Sequence, residues 1–191
     1  MVIDAIILAG GKGSRFNNKN KGLLVINNKP FATALYNEFK NNVRKIFINS
    51  NSNHQEYKTI GIETIRDDKQ GYMGPLEGIK TIMRLTDADY LFVIPVDSPK
   101  LDQKILQSLK KEAIKNPQKI ICCTDGIRKQ PLICLIPLSY KKSLESYLSK
   151  NNNRVFPWFN QNDPIWCQLS KQKKKILNIN KPSDYKKLDL L

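Results

Sequence analysis

Short apolar runs alternate with longer amphipathic segments along most of the chain. The apolar runs predict strands over residues 2–8, 45–49, 63–65, 90–95 and 119–124. The segments between them predict helices over residues 30–41, 54–59, 75–85 and 102–115. Strands that alternate with helices in this way are typical of an α/β fold, in which helices flank a mostly parallel central sheet.

The pattern changes after residue 124. Asp125-Gly126 favours a tight turn between the apolar runs 120–124 and 132–136, which predicts a β-hairpin excursion in the C-terminal half. Beyond it, the pattern predicts a helix over 138–149, a short aromatic helix over 154–160, a strand over 165–169 and a final helix over 182–188.

The chain has 191 residues, of which 40% are hydrophobic, and this is enough for one domain with a substantial core. Because no linker or internal repeat divides the sequence, we expect a single domain over residues 1–191. Asp4 interrupts the first apolar run, which argues against a signal peptide, and the other apolar runs are too short to span a bilayer. We therefore expect a cytoplasmic protein.

A net charge of +15 at pH 7 is typical of some nucleic-acid-binding proteins. Here, however, the lysines are spread along the chain and form no basic stripe interleaved with aromatic residues. We therefore expect neither a nucleic acid nor a membrane as a partner. A basic surface would still steer small anionic substrates towards a cleft.

The cysteines show no metal-binding pattern. Cys122, Cys123, Cys134 and Cys167 lack C-x-x-C spacing, and the chain contains one histidine. This disfavours a zinc site. Cys122, Cys123 and Cys134 lie in apolar stretches, which predicts free thiols that pack as small hydrophobic side chains.

A glycine-rich loop follows the first predicted strand, and residues 8–21 read L-A-G-G-K-G-S-R-F-N-N-K-N-K. Gly10, Gly11 and Gly13 allow backbone N–H groups to approach an anion closely. Arg15 offers a planar fork for phosphate oxygens, and Lys21 offers a compact charge on a long side chain. The spacing matches neither a Walker loop nor a dinucleotide-binding motif. The loop is therefore interpreted as a cradle for the phosphates of a nucleoside triphosphate.

Asp97 directly follows the apolar run 90–95, at the point where a carboxylate can project from the edge of a sheet. Mg²⁺ prefers oxygen ligands and often takes one or two carboxylates together with phosphate oxygens and water. The alternative is that Asp97-Ser98-Pro99 only turns the chain, since all three are common turn residues.

The glycine-rich loop resembles the signature of Rossmann-like nucleotidyltransferases, and four further motifs extend the resemblance. In order along the chain, the sequence is similar to the molybdenum cofactor guanylyltransferase family at Gly74-Pro75-Leu76-Glu77-Gly78, Pro95-Val96-Asp97-Ser98-Pro99, Arg128-Lys129-Gln130-Pro131 and Asn178-Ile179-Asn180-Lys181-Pro182. One departure is Phe16-Asn17-Asn18, where the family usually has a glycine; asparagine is the residue that best replaces glycine in a left-handed turn.

The resemblance implies a single-domain Rossmann-like nucleotidyltransferase fold, with a nucleotide- and magnesium-binding half over about 1–100 and a pterin-binding half over about 101–191. It implies transfer of GMP from GTP to the phosphate of molybdenum-molybdopterin, with release of pyrophosphate. Mg²⁺ is the implied cofactor, Asp97 is its implied ligand, and the implied catalytic residues are Arg15, Lys21 and Asp97. Family positions that bind the nucleotide match Leu8, Ala9, Gly10, Gly11, Lys21, Asn49, Asp67, Gly74, Gly78 and Asp97. Those that bind the pterin match Arg128, Gln130, Asn178 and Asn180.

Several interpretations stay open at this point. Asn49 and Asp67 would each pass as turn residues, and Asn178 and Asn180 could cap the final helix. The same fold could transfer CMP to molybdopterin or a nucleotide to a sugar phosphate, or the chain could bind GTP without catalysis. The resemblance also implies transient docking to proteins of molybdopterin synthesis or to molybdoenzymes, for which the sequence contains no distinct motif.

Overall fold

In the computed structural model, the described residues are 1–10, 16, 20–69, 71, 73–169 and 176–187. The strands they form are β1 (Ile3–Leu8), β2 (Val25–Ile26), β3 (Lys29–Pro30), β4 (Ile46–Asn49), β5 (Thr64–Ile65), β6 (Tyr90–Pro95), β7 (Ile121–Thr124), β8 (Lys129–Pro137) and β9 (Ile165–Gln168). The α-helices are α1 (Phe31–Phe39), α2 (His54–Thr59), α3 (Pro75–Leu85), α4 (Gln103–Lys115), α5 (Lys141–Ser149) and α6 (Val155–Gln161). Among these residues, no helix combines the length and the apolar character that a membrane span requires.

Seven strands form one sheet in the order β5-β4-β1-β6-β8-β7-β9. The strands β5, β4, β1 and β6 are parallel to one another, and β9 is parallel to β7. Strand β8 is antiparallel to both β6 and β7. The predicted α/β fold is therefore confirmed, and so is the hairpin, although β8 lies inside the central sheet rather than beside it.

Two hydrophobic cores cover the two faces of the sheet, and the alternation along β1 shows how. Ala5 and Ile7 point into the core that contains α1 and α4, whereas Ile6 and Leu8 point into the core that contains α3, α5 and α6. Every residue of β1 is buried, as expected for a parallel strand with helices on both faces.

Two local features differ from the predicted pattern. The small antiparallel pair of β2 and β3 was not predicted; Asn27 and Asn28 form its turn with φ values of 48° and 59°. Two consecutive left-handed residues are typical of a two-residue hairpin turn, and asparagine adopts them readily. The predicted final helix is a 3₁₀ segment, Pro182–Lys187.

Candidate active site

The carboxyl ends of three parallel strands bring the predicted nucleotide residues to one edge of the sheet. Leu8 at the end of β1 is aligned with Asn49 at the end of β4 and with Pro95 at the end of β6. The chain then continues into Gly10 on one side and Asp97 on the other. The Ala9 backbone N–H donates to the Asn49 carbonyl at 2.8 Å, which joins the start of the glycine-rich loop to β4. Ligands of open α/β sheets bind at this edge.

Lys21 lies between two predicted site residues from distant parts of the chain. Its Nζ is 3.2 Å from Asp97 Oδ2 and donates to Asn180 Oδ1 at 3.0 Å. The side chains of Lys21 and Asp97 are 24% and 22% exposed, so both remain accessible to a ligand. The structure thus brings together three residues predicted to bind different groups: the lysine predicted for phosphate, the carboxylate predicted for magnesium and an amide predicted for the pterin.

The segment that carries Asn178 and Asn180 is fixed to the turn that carries Asp97. The Ile179 backbone N–H donates to the Asp97 carbonyl at 2.7 Å, and Ser98 Oγ donates to Asn178 Oδ1 at 2.5 Å. The side-chain oxygens of Asn178 and Asn180 therefore face this turn and Lys21. Asp184, within the segment Pro182–Lys187, accepts the backbone N–H groups of Asn180 and Lys181 at its Oδ2 atom.

Two cavities adjoin this cluster. The first has a volume of about 200 Å³, and its lining includes Leu8, Gly10, Lys21, Pro75 and Asp97. The second has a volume of about 550 Å³, and its lining includes Arg128, Gln130, Asn178 and Asn180. The predicted phosphate and metal residues therefore line one cavity and the predicted pterin residues line the other, while the contact of Lys21 with Asn180 connects them.

Asn49 and Asp67 form a separate hydrogen-bonded group beside α3. Asn49 Nδ2 donates to Asp67 Oδ1 at 2.8 Å, and Asn51 Nδ2 donates to Asp67 Oδ2 at 2.6 Å. The Asn51 side-chain oxygen also accepts the Asp67 backbone N–H at 2.8 Å. Asp67 is thus held by amides on both carboxylate oxygens, and neither Asn49 nor Asp67 lines the two cavities above.

The two residues after Asp67, Asp68 and Lys69, are bound to helix α3. The Asp68 backbone N–H donates to Thr81 Oγ1 at 3.1 Å, and the Lys69 N–H donates to Glu77 Oε1 at 3.3 Å. Glu77 is 1% exposed and pairs with Lys80 in the same helix. The loop that carries Asp67 is therefore fixed to β4 on one side and to α3 on the other.

The structure explains why two of the predicted site residues, Gly74 and Gly78, are glycines. A Cβ at Gly78 would lie 2.3 Å from Asn49 Oδ1 and 2.8 Å from Asn49 Cγ, so α3 approaches β4 closely only because residue 78 has no side chain. Gly74 precedes α3 with φ 85°, a conformation that favours glycine, and Pro75 occupies the first turn of the helix. Gly74 faces the backbone carbonyl of Asn153, and it is Pro75 that lines the first cavity.

Two predicted site residues, Gly11 and Arg15, lie outside the described part of the chain. Arg128 is exposed on the β7–β8 turn, where its backbone N–H donates to Asp125 Oδ1 at 2.6 Å. Asn51 and Ser98 were missed as supporting residues; Asn51 lies close to Asn49 in the chain, and Ser98 lies in the motif that contains Asp97.

The chemistry of Asp97 suits a magnesium ion. It presents carboxylate oxygens, the ligands that Mg²⁺ prefers, at the edge of a cavity next to a lysine. Among the described residues, no three His, Cys, Asp or Glu side chains group closely enough to form a complete metal site. The residues present therefore fit an ion that shares its coordination with phosphate oxygens and water.

Comparisons with known proteins agree with this arrangement. Residues 5–163 match the family described as MobA-like NTP transferase domain. The molybdenum cofactor guanylyltransferase of Shewanella loihica is 32% identical over 186 residues, which cover 97% of this chain and 95% of the relative. That of Shewanella piezotolerans is 31% identical over 188 residues, covering 98% and 92%.

Solved structures show the same fold. Molybdopterin-guanine dinucleotide biosynthesis protein A from Archaeoglobus fulgidus aligns with a TM-score of 0.79 and 20% identity, covering 96% of this chain and 95% of its own. The 2-C-methyl-D-erythritol 4-phosphate cytidylyltransferase of Francisella tularensis aligns with a TM-score of 0.71 and 14% identity, covering 100% and 99%. The chain belongs to the MobA-like NTP transferase family, and within it to the molybdenum cofactor guanylyltransferases.

Proposed function

We propose that this nucleotidyltransferase transfers GMP from GTP to the phosphate of molybdenum-molybdopterin and releases pyrophosphate. One observation carries the proposal: Lys21 contacts Asp97 of the first cavity and Asn180 of the second. A group at this junction can act on a nucleotide and on an acceptor at the same time. The curated relatives, which are guanylyltransferases by name, support the choice of both substrates.

In this proposal the triphosphate lies in the first cavity, beside Gly10, Lys21 and Asp97. Arg15 and the N–H groups of the glycine-rich loop bind the phosphates, and Asp97 would hold Mg²⁺. When bound, the ion neutralises charge on the phosphates of the nucleotide. The guanosine extends towards the Asn49, Asp67 and Gly78 side of the site, where α3 and β4 are in close contact.

The acceptor binds in the second cavity, which has a volume of about 550 Å³. Arg128 can hold the phosphate with two parallel hydrogen bonds. Gln130, Asn178 and Asn180 carry amides, which supply both donors and acceptors for the edges of a pterin ring. The contact of Asn180 with Lys21 supports this assignment, because it connects the second cavity with the first.

The reaction is an in-line substitution at the α-phosphorus of GTP. An oxygen of the acceptor phosphate forms a bond to the α-phosphorus, and the bond from that phosphorus to the oxygen bridging to the β-phosphate breaks. The bridging oxygen leaves with the electron pair as part of pyrophosphate. Because the nucleophile is already an anion at neutral pH, no general base is needed. The residues contribute alignment and positive charge, which Lys21 supplies to the phosphates from the junction of the two cavities.

Isotope labelling tests the proposed chemistry. With GTP labelled on the α-phosphorus, we expect the label in a pterin dinucleotide; with GTP labelled on the γ-phosphorus, we expect it in pyrophosphate. Release of γ-label as inorganic phosphate, with no label in a pterin product, would contradict nucleotidyl transfer.

A further inference from the structure

A buried polar cluster supports the turn that carries Lys21. Lys21 opens a short 3₁₀ turn, Lys21–Leu23, and Asn20 caps it. The Asn20 side-chain oxygen accepts the Gly22 backbone N–H at 2.9 Å and the Tyr57 hydroxyl at 2.8 Å. Its side-chain nitrogen donates to Ser50 Oγ at 3.3 Å. We refer to Asn20, Ser50 and Tyr57 as the Asn20 cluster.

The Asn20 cluster is shielded from water. Asn20 is 3% exposed, and Ser50 and Tyr57 are fully buried. Burial raises the pKa of Tyr57, so its hydroxyl stays protonated and remains a hydrogen-bond donor. Since Tyr57 belongs to α2 and Ser50 directly follows β4, the cluster connects the Lys21 turn to two elements of the core. Buried networks of this kind hold a single geometry, because no water competes for their bonds.

Gly22 allows this contact. A Cβ at residue 22 would lie 2.0 Å from Tyr57 Oη and 3.3 Å from Asn20 Oδ1. The Tyr57 hydroxyl therefore occupies the space next to the backbone immediately after Lys21. Neither Asn20 nor Tyr57 lines either cavity of the active site, so their bonds act on the turn and not on a substrate.

We propose that Asn20 and Tyr57 are positioning residues that hold the Lys21 ammonium at the junction of the two cavities. The inference rests on the proposed function, because it assigns Lys21 to the transferred phosphate. A catalytic group displaced by about 1 Å can lose roughly a hundredfold in rate. Among the described residues, the Lys21 ammonium contacts Asp97 and Asn180, and whether it reaches both depends on the position of the Lys21 backbone.

The substitution Tyr57→Phe tests the proposal, because it removes only the hydroxyl. We expect kcat to fall by about ten- to a hundredfold, while KM for GTP changes by less than about threefold. Tyr90→Phe is the matched control: the Tyr90 hydroxyl donates to the Pro117 carbonyl at 2.6 Å and the residue is 7% exposed, but it is the first residue of β6, at the opposite end of that strand from Asp97. We expect Tyr90→Phe to leave kcat unchanged. An equal fall in kcat for both variants would overturn the proposal.

A second measurement separates positioning from general destabilisation. In a Lys21→Ala background, Tyr57→Phe should lower kcat no further, since the group that it positions is gone. The same fold-loss in both backgrounds would show that Tyr57 acts independently of Lys21 and would overturn the proposal.

A spectroscopic readout keeps this test independent of the assigned reaction. In protein labelled with ¹³C at the lysine ε-carbons, the Lys21 resonance can be identified by its loss in Lys21→Arg. It should shift in Tyr57→Phe and stay in place in Tyr90→Phe. Wild-type protein that releases no pyrophosphate from GTP would overturn the proposed function, yet the resonance would still decide whether Tyr57 positions Lys21. An unmoved resonance in Tyr57→Phe would overturn the positioning role.

Discussion

The Lys21 ammonium lies 3.2 Å from the Asp97 carboxylate, although 76 positions separate the two residues in the chain. Each charge is partly shielded and each borders the same cavity. Each charge partly neutralises the other, and both side chains line the cavity, where a ligand can reach them. A magnesium nucleotide carries the complementary pair, a cation for Asp97 and phosphate oxygens for Lys21.

Asp97→Asn should lower turnover by at least about a hundredfold, because an amide replaces the one carboxylate among the described residues that line the first cavity. The defect should persist when Mg²⁺ is raised, as steady-state assays over a range of Mg²⁺ concentrations can show. Asp163→Asn is the control, since Asp163 pairs with Lys119 at 2.7 Å on an exposed surface. Full activity of Asp97→Asn would remove Asp97 from the metal site.

Lys21→Ala should act mainly on kcat, with a loss of about a hundredfold or more, because positive charge at the transferred phosphate matters most in the transition state. KM for GTP should rise much less. The comparison is Lys119→Ala, which removes the other half of the exposed pair and should leave both constants near wild type. A large rise in KM with unchanged kcat would mean that Lys21 only binds substrate.

Gly78→Ala should weaken nucleotide binding, with KM for GTP rising roughly tenfold, since a Cβ 2.3 Å from Asn49 Oδ1 must displace the amide that holds Asp67. Gly61→Ala is the control for an effect on stability alone. It introduces a side chain at φ 76°, and the new Cβ meets no atom within 4 Å. Gly61 precedes β5, whereas Asp67 follows it. If calorimetric titration gave the same GTP affinity for wild type and Gly78→Ala, the nucleotide would not depend on this contact.

Asp4→Asn should destabilise the fold in a pH-dependent way. Burial alone would raise the pKa of Asp4, but hydrogen bonds from Arg44 and Thr86 outweigh it and lower the pKa below its ordinary value of 3.8. Because the folded state favours the charged form, the stabilisation is present above about pH 4 and is lost as the pH falls below that.

Thermal unfolding tests this at two pH values. At pH 7 we expect Asp4→Asn to cost about 2–4 kcal/mol, since it breaks a pair whose carboxylate is fully buried. The difference from wild type should shrink towards pH 3. Asp87→Asn, which removes the exposed partner of Arg44, should have little effect at either pH. A penalty for Asp4→Asn that is constant from pH 7 to 3 would contradict the assignment.

Much of the fold could be predicted because its signals are local. The apolar run that became β6 and the lysine-faced helix α4 were recognisable from their periodicity, and Asp97 was predicted at the strand end where it lies. The position of β8 between β6 and β7 was not predicted, because strand order depends on contacts between distant segments. The β2–β3 pair was not predicted, because a strand of two residues is too short to show an alternation of apolar and polar residues.

Site residues that belong to a sequence motif could be predicted, whereas residues that only hold those side chains in place could not. Lys21, Asp97 and Asn180 were identified from three separate motifs, and the structure brings them together. Asn20, Asn51 and Tyr57 had no such signal, since each works through a hydrogen bond to a residue far away in the chain. An asparagine in a loop and a tyrosine on a short helix have no distinctive pattern in the sequence.

The most direct test of the account is pyrophosphate release with Mg²⁺ and molybdenum-molybdopterin, compared for GTP, CTP, ATP and UTP at equal concentration. The proposed function predicts turnover with GTP and little or none with the other three. A preference for CTP would keep the fold and the mechanism but contradict the guanine assignment. No pyrophosphate release with any of the four nucleotides would contradict nucleotidyl transfer to this acceptor.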